Sequence, residues 1–167
     1  MAKTRIALDS SVILDAVEQN PPWWKDVEPI YDDAAAGRLE IIVSEISVAE
    51  CCRLKSLLAS GVPLSVAMGK LRKCFNNAFI IRAPVTQTES EMAAEICRDH
   101  NLETCDAIIV ATACVHKCEA LYTRDGTKKR KPNRVSPLKC DGKIGNPALP
   151  ILRPSGYKTG PLFAPKS

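Results

Sequence analysis

The sequence has no apolar run long enough to cross a membrane. Its longest apolar stretches, such as residues 107–113, fall well short of the roughly 20 residues that a spanning helix needs. Two cations near the start precede a short apolar run, but Asp9 comes too early for the apolar region of a secretory signal peptide. We therefore expect a soluble, cytosolic protein that does not engage a membrane.

The sequence also lacks a Cys-x-x-Cys pair, although it contains eight cysteines. Several of them lie within periodic apolar segments, as small hydrophobic residues do, so we expect reduced thiols rather than a disulfide framework. The tightest cluster, Cys114, His116 and Cys118, invites comparison with a zinc site. On a helix, however, side chains two residues apart point in different directions, and we do not expect zinc there.

Two further absences narrow the chemistry. No glycine-rich phosphate loop follows the first apolar segment, which argues against a nucleotide-binding protein. Ser11 stands two residues after Asp9, where a phosphatase with an aspartate nucleophile would carry a second acid. No internal repeat is evident, and 167 residues are enough to build one sizeable core.

The charges are divided unevenly along the chain. Residues 1–126 hold 13 Lys and Arg against 18 Asp and Glu, a formal charge of −5, whereas residues 127–167 hold 10 against one, a charge of +9. We therefore predict a folded body over 1–126 and a basic, Pro- and Gly-rich extension over 127–167. The alternative role of the extension is to solubilise the chain or to lie against the acidic body. Because Lys and Arg neutralise phosphates, we predict nucleic-acid contacts from its basic cluster, Lys128, Lys129, Arg130, Lys131 and Arg134.

Short apolar segments alternate with helical patterns along the body. We predict an edge strand at 149–152 in the extension, and four strands in the body at 5–8, 39–43, 79–82 and 120–122. Strands that alternate with helices favour parallel pairing, with helices on both faces. The sequence therefore predicts an α/β fold of three layers, α/β/α, with a central parallel sheet of four to five strands.

The helical patterns between the strands are delimited by caps and glycines. One pattern runs continuously from Ser44 to Gly61. Thr88 and Glu91 have the spacing of a capping box and predict the start of another helix. A central helix, apolar on most sides, begins at Thr104.

Four acidic residues fall near one predicted edge of the sheet. Asp9 ends the first strand and Asp125 follows the fourth, and open parallel sheets place their sites outside the carboxyl ends of the strands. Glu50, about two turns into its helix, and Asp106, in the first turn of the central helix, can point to the same edge. Converging carboxylates suit Mg²⁺ or Mn²⁺, which can activate water and offset charge during phosphodiester hydrolysis. The alternative for each acid is a solvated side chain or a helix-dipole partner.

Four blocks of the sequence resemble the PIN-domain family in the family's own order. The resemblance covers roughly residues 5–125. The first block has an aspartate that ends strand one, followed by small hydroxyl residues, and the others each carry an acid. The blocks are 6–14 (IALDSSVIL), 43–50 (VSEISVAE), 104–113 (TCDAIIVATA) and 121–125 (LYTRD).

The resemblance implies a Mg²⁺- or Mn²⁺-dependent nuclease site. By matched position, Asp9 and Asp106 would be the main metal ligands, Glu50 a ligand or water orienter, and Asp125 the fourth carboxylate. Ser11 and Thr123 would hold the carboxylates in place by hydrogen bonds. The first block departs from the family's usual Thr-Asn with Ser10-Ser11. Glu45 competes with Glu50 for the second role, and we prefer Glu50 because it follows the Val-Ala pair of the block.

These observations lead to the hypothesis of an endoribonuclease. The resemblance includes VapC-type toxin ribonucleases, which cut RNA, are inhibited by an antitoxin protein and commonly form homodimers, so we expect these partners here. The family also includes RNA-processing nucleases without antitoxins. A rival hypothesis is a PIN-like scaffold that binds RNA or protein without cutting. Trp23 and Trp24 could stack on bases, but a Trp beside Pro-Pro more often packs on the core, which we favour.

Overall fold

The centre of the fold is a sheet whose strands are buried on both faces. The computed structural model describes residues 3–19, 23–125, 134–137 and 142–158. Within these ranges the strands form one sheet in the order β3-β2-β1-β4-β6-β5, parallel throughout except for the β5–β6 pair. The strands are β1 (Thr4–Leu8), β2 (Leu39–Ser44), β3 (Ile80–Ala83), β4 (Leu121–Tyr122), β5 (Lys143–Ile144) and β6 (Leu149–Leu152).

Helices cover both faces of this sheet. The connections between successive strands from β1 to β4 are helical, as is usual for parallel strands. The described helices are α1 (Ser10–Glu18), α2 (Trp24–Ala35), α3 (Glu45–Cys51), α4 (Lys55–Ala59), α5 (Leu64–Phe75), α6 (Gln87–His100) and α7 (Thr104–Val115), and a 3₁₀ turn spans Pro154–Gly156.

The alternation of side chains along β1 shows why three layers form. Ile6 and Leu8 belong to a core cluster that includes residues of α1, α2 and α5, whereas Ala7 belongs to a second cluster with α6 and α7. All three are at most 3% exposed. Because successive side chains of a strand point to opposite faces, both faces must be covered. The predicted three-layer α/β/α class with a central, mostly parallel sheet is confirmed.

Part of the basic extension contributes to the sheet. β6 coincides with the strand predicted at 149–152 and pairs in parallel with β4, with Leu121 opposite Ile151. Its predicted edge position is wrong, because β5 pairs with the other side of β6, Ile144 opposite Leu149. This pairing also raises the number of strands to six among the described residues.

Tyr157, just beyond β6, ties the extension to the body. Its hydroxyl donates a hydrogen bond to the buried Asp33 of α2, which also accepts from Arg38. Its ring lies 5.9 Å from the ring of the fully buried Tyr122, in an edge-to-face arrangement. These contacts anchor residues near 157 against α2 and β4.

Two helical predictions are wrong in detail. The continuous helix from Ser44 to Gly61 is broken after Cys51, because the buried Leu54 adopts a left-handed conformation (φ 39°) and turns the chain before α4 begins at Lys55. The capping box of α6 also lies two residues earlier than predicted, at Thr86 and Glu89. The backbone N–H of Thr86 donates to Glu89 Oε2 at 3.0 Å, so Thr88 and Glu91 are not the capping pair.

Among the described residues, no helix is both long and apolar enough to span a membrane.

Candidate active site

Asp9 lies at the carboxyl end of β1, at the centre of the predicted site. It is the N-cap of α1, where its side chain accepts a hydrogen bond from the backbone N–H of Ser10 at 2.7 Å. Its second carboxylate oxygen, Oδ2, accepts from the hydroxyls of Ser11 at 2.7 Å and Thr123 at 2.8 Å. The residue is only 3% exposed. These bonds hold one orientation of the carboxylate, which a preorganised site requires.

The two hydroxyl residues also connect α1 to the segment after β4. Ser11 Oγ accepts from the backbone N–H of Arg124 at 3.1 Å, and Thr123 Oγ1 accepts from the backbone N–H of Asp125 at 3.0 Å. Asp125 is thereby held close to Asp9 through Thr123. Ser11 and Thr123 thus make the hydrogen bonds expected of residues that hold the carboxylates in place.

The structure separates Glu50 from its competitor Glu45. Glu45 forms a two-pronged ion pair with Arg82 of β3, at 2.8 and 2.7 Å, and is 39% exposed. Burial raises the pKa of Glu50, and the nearby Asp9 adds to this shift. Glu50 Oε2 is buried and has no hydrogen-bond partner among the described residues. The side chain that faces the other carboxylates is therefore Glu50.

Asp106, in the first turn of α7, is engaged by the basic extension. Its Oδ1 accepts from Arg134 Nη1 at 3.0 Å, and its Oδ2 accepts from the backbone N–H of Val135 at 2.7 Å. The Arg134 Nε atom also lies 3.3 Å from Glu103 Oε2. Val135 is fully buried and Asp106 only 1% exposed. The guanidinium of Arg134 thus contacts Asp106, the residue that we predicted to bind a metal ion.

The buried acids influence one another electrostatically. Burial, together with the nearby Asp9, raises the pKa of Asp106 to about 7, against the opposing effects of the Val135 N–H and Arg134. Burial, followed by Asp9, also raises the pKa of Glu50, against the opposing effects of Ser10 and Arg134. Burial lowers the pKa of Arg134, but Asp106, followed by Glu103 and Asp125, raises it above its usual value. Asp9 thus influences both Glu50 and Asp106, and Arg134 lies among these acids.

The donor set fits a hard divalent cation in chemistry, because every donor is a carboxylate oxygen. The buried, unpartnered Glu50 Oε2 is the kind of atom that a cation would satisfy. In the part of the chain that the structure describes, however, no three His, Cys, Asp or Glu side chains are gathered closely enough to hold one ion. To hold a divalent ion, the described acids would have to draw together, and Arg134 would be a competing cation at Asp106.

The predicted nucleic-acid contacts fall in two places. Lys128, Lys129, Arg130 and Lys131 lie outside the described residues. Arg134 lies inside the acidic site instead of on an open surface, with its side chain 22% exposed. The sequence showed that Arg134 is basic, but it contained no signal for a contact with Asp106, which is 28 positions away. The sequence also contained no signal for the hydrogen bond from the Val135 N–H to Asp106, because every residue except proline has a backbone N–H.

The family model of the PIN domain matches residues 6–132. No curated protein matches the chain.

Several solved structures share the fold at low identity. A chain of VapBC2 from Rickettsia felis, bound to a DNA fragment from its promoter, is 14% identical, with a TM-score of 0.60 over 90% of this chain and 98% of that chain. VapC20 of Mycobacterium tuberculosis is 16% identical, with a TM-score of 0.58 over 73% of this chain and 91% of that one. FitAcB from Neisseria gonorrhoeae is 19% identical, with a TM-score of 0.53 over 91% and 99%.

Proposed function

Because this chain belongs to the PIN-domain family, a family of nucleases, we propose that it is a divalent-metal-dependent endoribonuclease that hydrolyses RNA phosphodiester bonds. The observation that carries the proposal is the meeting of acids from separate sequence blocks at the carboxyl end of the sheet. Asp9, Glu50 and Asp106 come from three different elements, yet each is close enough for its charge to affect another. Buried carboxylates that repel one another are costly unless a cation offsets them.

Each acid has a distinct part in this proposal. Asp9 and Asp106 would hold Mg²⁺ or Mn²⁺, Glu50 would hold the ion or orient water, and Asp125 would act from the outer side of the site. When bound, a divalent cation supplies Lewis-acid stabilisation of the charge that grows on the phosphate and favours deprotonation of water. Ser11 and Thr123 would keep the Asp9 carboxylate aimed at this position throughout turnover.

The biological setting that we propose is a toxin held in check by an antitoxin protein, with the chain acting as a homodimer. Three of the solved structures that share the fold support the antitoxin partner: VapBC2, FitAcB and a toxin–antitoxin complex from Klebsiella pneumoniae, which is 18% identical with a TM-score of 0.51. VapC20 is described as a toxin that cleaves the sarcin-ricin loop, an RNA element. Growth arrest on expression of the wild type, but not of Asp9→Asn, would support a toxin.

Cleavage assays on a mixed panel of RNA and single-stranded DNA test the activity. The wild type, an Asp9→Asn/Asp106→Asn double variant and Glu45→Gln are compared in Mg²⁺, Mn²⁺ or EDTA. Glu45→Gln is a matched control, because Glu45 pairs with Arg82 and faces away from the other acids. We expect cutting of RNA that needs the divalent ion, survives in Glu45→Gln and vanishes in the double variant. Metal-independent cutting, or an equally active double variant, would refute the mechanism.

One observation favours a second candidate, a PIN-like scaffold that binds RNA or protein without cutting. Both carboxylate oxygens of Asp106 are already hydrogen-bonded, to Arg134 and to the Val135 N–H. A site closed in this way would bind without catalysing. The same assay separates the two candidates, since RNA binding without cleavage under every metal condition would favour the scaffold.

A further inference from the structure

The two adjacent tryptophans at the start of α2 have different environments. Trp24 is half-buried in the core and lies 6.2 Å from the Tyr31 ring, as expected for a packing residue. Trp23 is 40% exposed, so the packing predicted for it is not observed. Its ring is approached by Arg124, whose Cζ atom lies 4.9 Å from the ring centroid. Trp23 therefore presents an aromatic surface to solvent beside a fixed cation.

Arg124 connects this surface to the acidic site. It stands between Thr123, which binds Asp9, and Asp125, and its backbone N–H donates to Ser11. Its side chain extends along α1 to Asp15, with Nε 2.6 Å from Asp15 Oδ2. Asp15 follows Ser11 by four residues, a distance of about 6 Å along a helix. Asp15, which holds the cation beside Trp23, thus lies about one helical turn from Ser11, which donates to the Asp9 carboxylate.

A cleft opens between Trp23 and the turn after β6. Its cavity volume is only about 40 Å³, so a larger ligand would lie over its mouth, and its polar lining consists mainly of two carboxylates and two guanidiniums. The opposite charges formally cancel, so the cleft suits a neutral ligand with hydrogen-bond donors and acceptors and a flat π face. A nucleobase has all of these properties. The charged lining residues are Asp15, Asp26, Arg124 and Arg153.

Asp15 and Arg124 form a buried ion pair beside the cleft. Asp15 is 1% exposed, and its Oδ2 has no hydrogen bond of acceptable geometry among the described residues, although Arg124 is close. Arg124 Nε is in the same condition. Buried polar atoms are normally hydrogen-bonded, and an exception calls for an explanation. Asp15 Oδ2 and Arg124 Nε are nevertheless each other's partners in a buried ion pair at 2.6 Å, and this pair holds the guanidinium beside the Trp23 ring.

We propose that Trp23, Arg124 and Arg153 form a nucleobase-binding subsite that receives a base adjacent to the cleaved phosphate. The subsite rests on the proposed nuclease function for its position on the substrate. Trp23 stacks on the base, and Arg124, which is paired with Asp15, holds the indole in place. Such contacts would give the enzyme a preference for a base at one position beside the cut.

Tryptophan fluorescence can test the subsite without cleavage, because the chain has only two tryptophans. Trp24→Phe leaves Trp23 as the reporter, and Trp23→Phe leaves Trp24 as the matched control. Each is titrated with ribonucleoside and deoxyribonucleoside monophosphates and with ribose 5-phosphate. We expect saturable quenching of Trp23 by nucleotides of either sugar, little change with ribose 5-phosphate and no change in the Trp24 reporter. Equal quenching by ribose 5-phosphate would overturn base recognition.

A second measurement does not depend on the Trp24→Phe variant. Trp23→Ala should weaken the binding of a short RNA in EDTA by about 5- to 30-fold, whereas Trp23→Phe should retain most of the affinity because its ring still stacks. Unchanged affinity in Trp23→Ala, with no nucleotide quenching, would refute the subsite. Quenching by nucleotides in a protein that never cleaves RNA would refute the nuclease proposal and leave base binding intact. RNA cleavage without quenching by nucleotides would refute the base subsite and leave the nuclease proposal intact.

Discussion

Removing the charge of Arg134 should make the acidic site bind divalent cations more tightly. In the structure Arg134 Nη1 lies 3.0 Å from Asp106 Oδ1, and a cation that binds Asp106 must break this contact. Arg134→Gln shortens the side chain and removes its charge while keeping a polar group. The variant then has no arginine to compete with the metal at Asp106, and the metal alone offsets the repulsion between the carboxylates.

The magnitude follows from the burial of the pair. A hydrogen bond to a charged group contributes about 1.5–3 kcal/mol net. Because the variant has no Arg134–Asp106 bond to break when the metal binds, its metal Kd should be lower by about 10- to 100-fold. The metal-free variant should also be less stable, because breaking a buried ion pair costs up to about 3–5 kcal/mol. We expect a smaller loss, about 1–3 kcal/mol, because Arg134 is 22% exposed and Val135 still donates to Asp106.

Calorimetric titration with Mn²⁺, together with thermal unfolding at several Mn²⁺ concentrations, measures both effects. The variant should start from a lower Tm and gain more from the metal than the wild type does. Arg38→Gln is the matched control, since it also removes an arginine from a buried aspartate, Asp33, but outside the site. It should lose stability with no change in metal Kd.

Two results would refute the reasoning. Equal or weaker Mn²⁺ binding by Arg134→Gln would mean that Arg134 does not compete with the metal and instead supports the site. No detectable binding to either protein, with the fold intact, would refute the metal site itself.

Three further predictions concern other parts of the chain. Replacing the four basic residues of 128–131 with Gln should weaken RNA binding and reduce the slope of log K against log salt by up to about 3, and an unchanged slope would show that they do not contact phosphates. Burial raises the pKa of Asp15 to about 7, so its contribution to stability is present below about pH 4 and lost as the pH rises through 7. Urea unfolding should therefore give the wild type a larger advantage over Asp15→Asn at pH 5 than at pH 8, and a constant difference would contradict the shift. Thr86→Ala should lower the free energy of unfolding by about 1 kcal/mol, because Thr86 caps α6 with Glu89, whereas Thr88→Ala should have little effect; equal losses would place the cap elsewhere.

The sequence by itself determined the class of fold and nominated the acids of the candidate site. Strand and helix periodicity is a local property, so residues such as Ile6, Ala7 and Leu8 already indicate a strand that is covered on both faces. A buried strand that ends in Asp9 places that acid at a sheet edge whatever the details of packing. The four blocks that resemble the PIN-domain family nominated Glu50, Asp106 and Asp125 as the other candidate acids.

Local patterns were weaker where two positions shared the same signal. Thr86-Glu89 and Thr88-Glu91 have the same capping spacing, and the start of α6 chose the first. Leu54 has an ordinary helical neighbourhood in sequence, yet its burial at a left-handed turn divides the predicted helix. In such cases packing decides, because the local energies differ by only about 1 kcal/mol.

Only the tertiary structure decided which distant residues meet. Arg134 reaches Asp106 across 28 positions, and Arg124 joins Trp23 to Asp15, because the strand order brings their elements together. Glu45 and Glu50 have similar local sequence, but their different directions from α3 pair one with Arg82 and turn the other toward Asp9. Contacts of this kind depend on the path of the whole chain, and no spacing within a short segment contains that path.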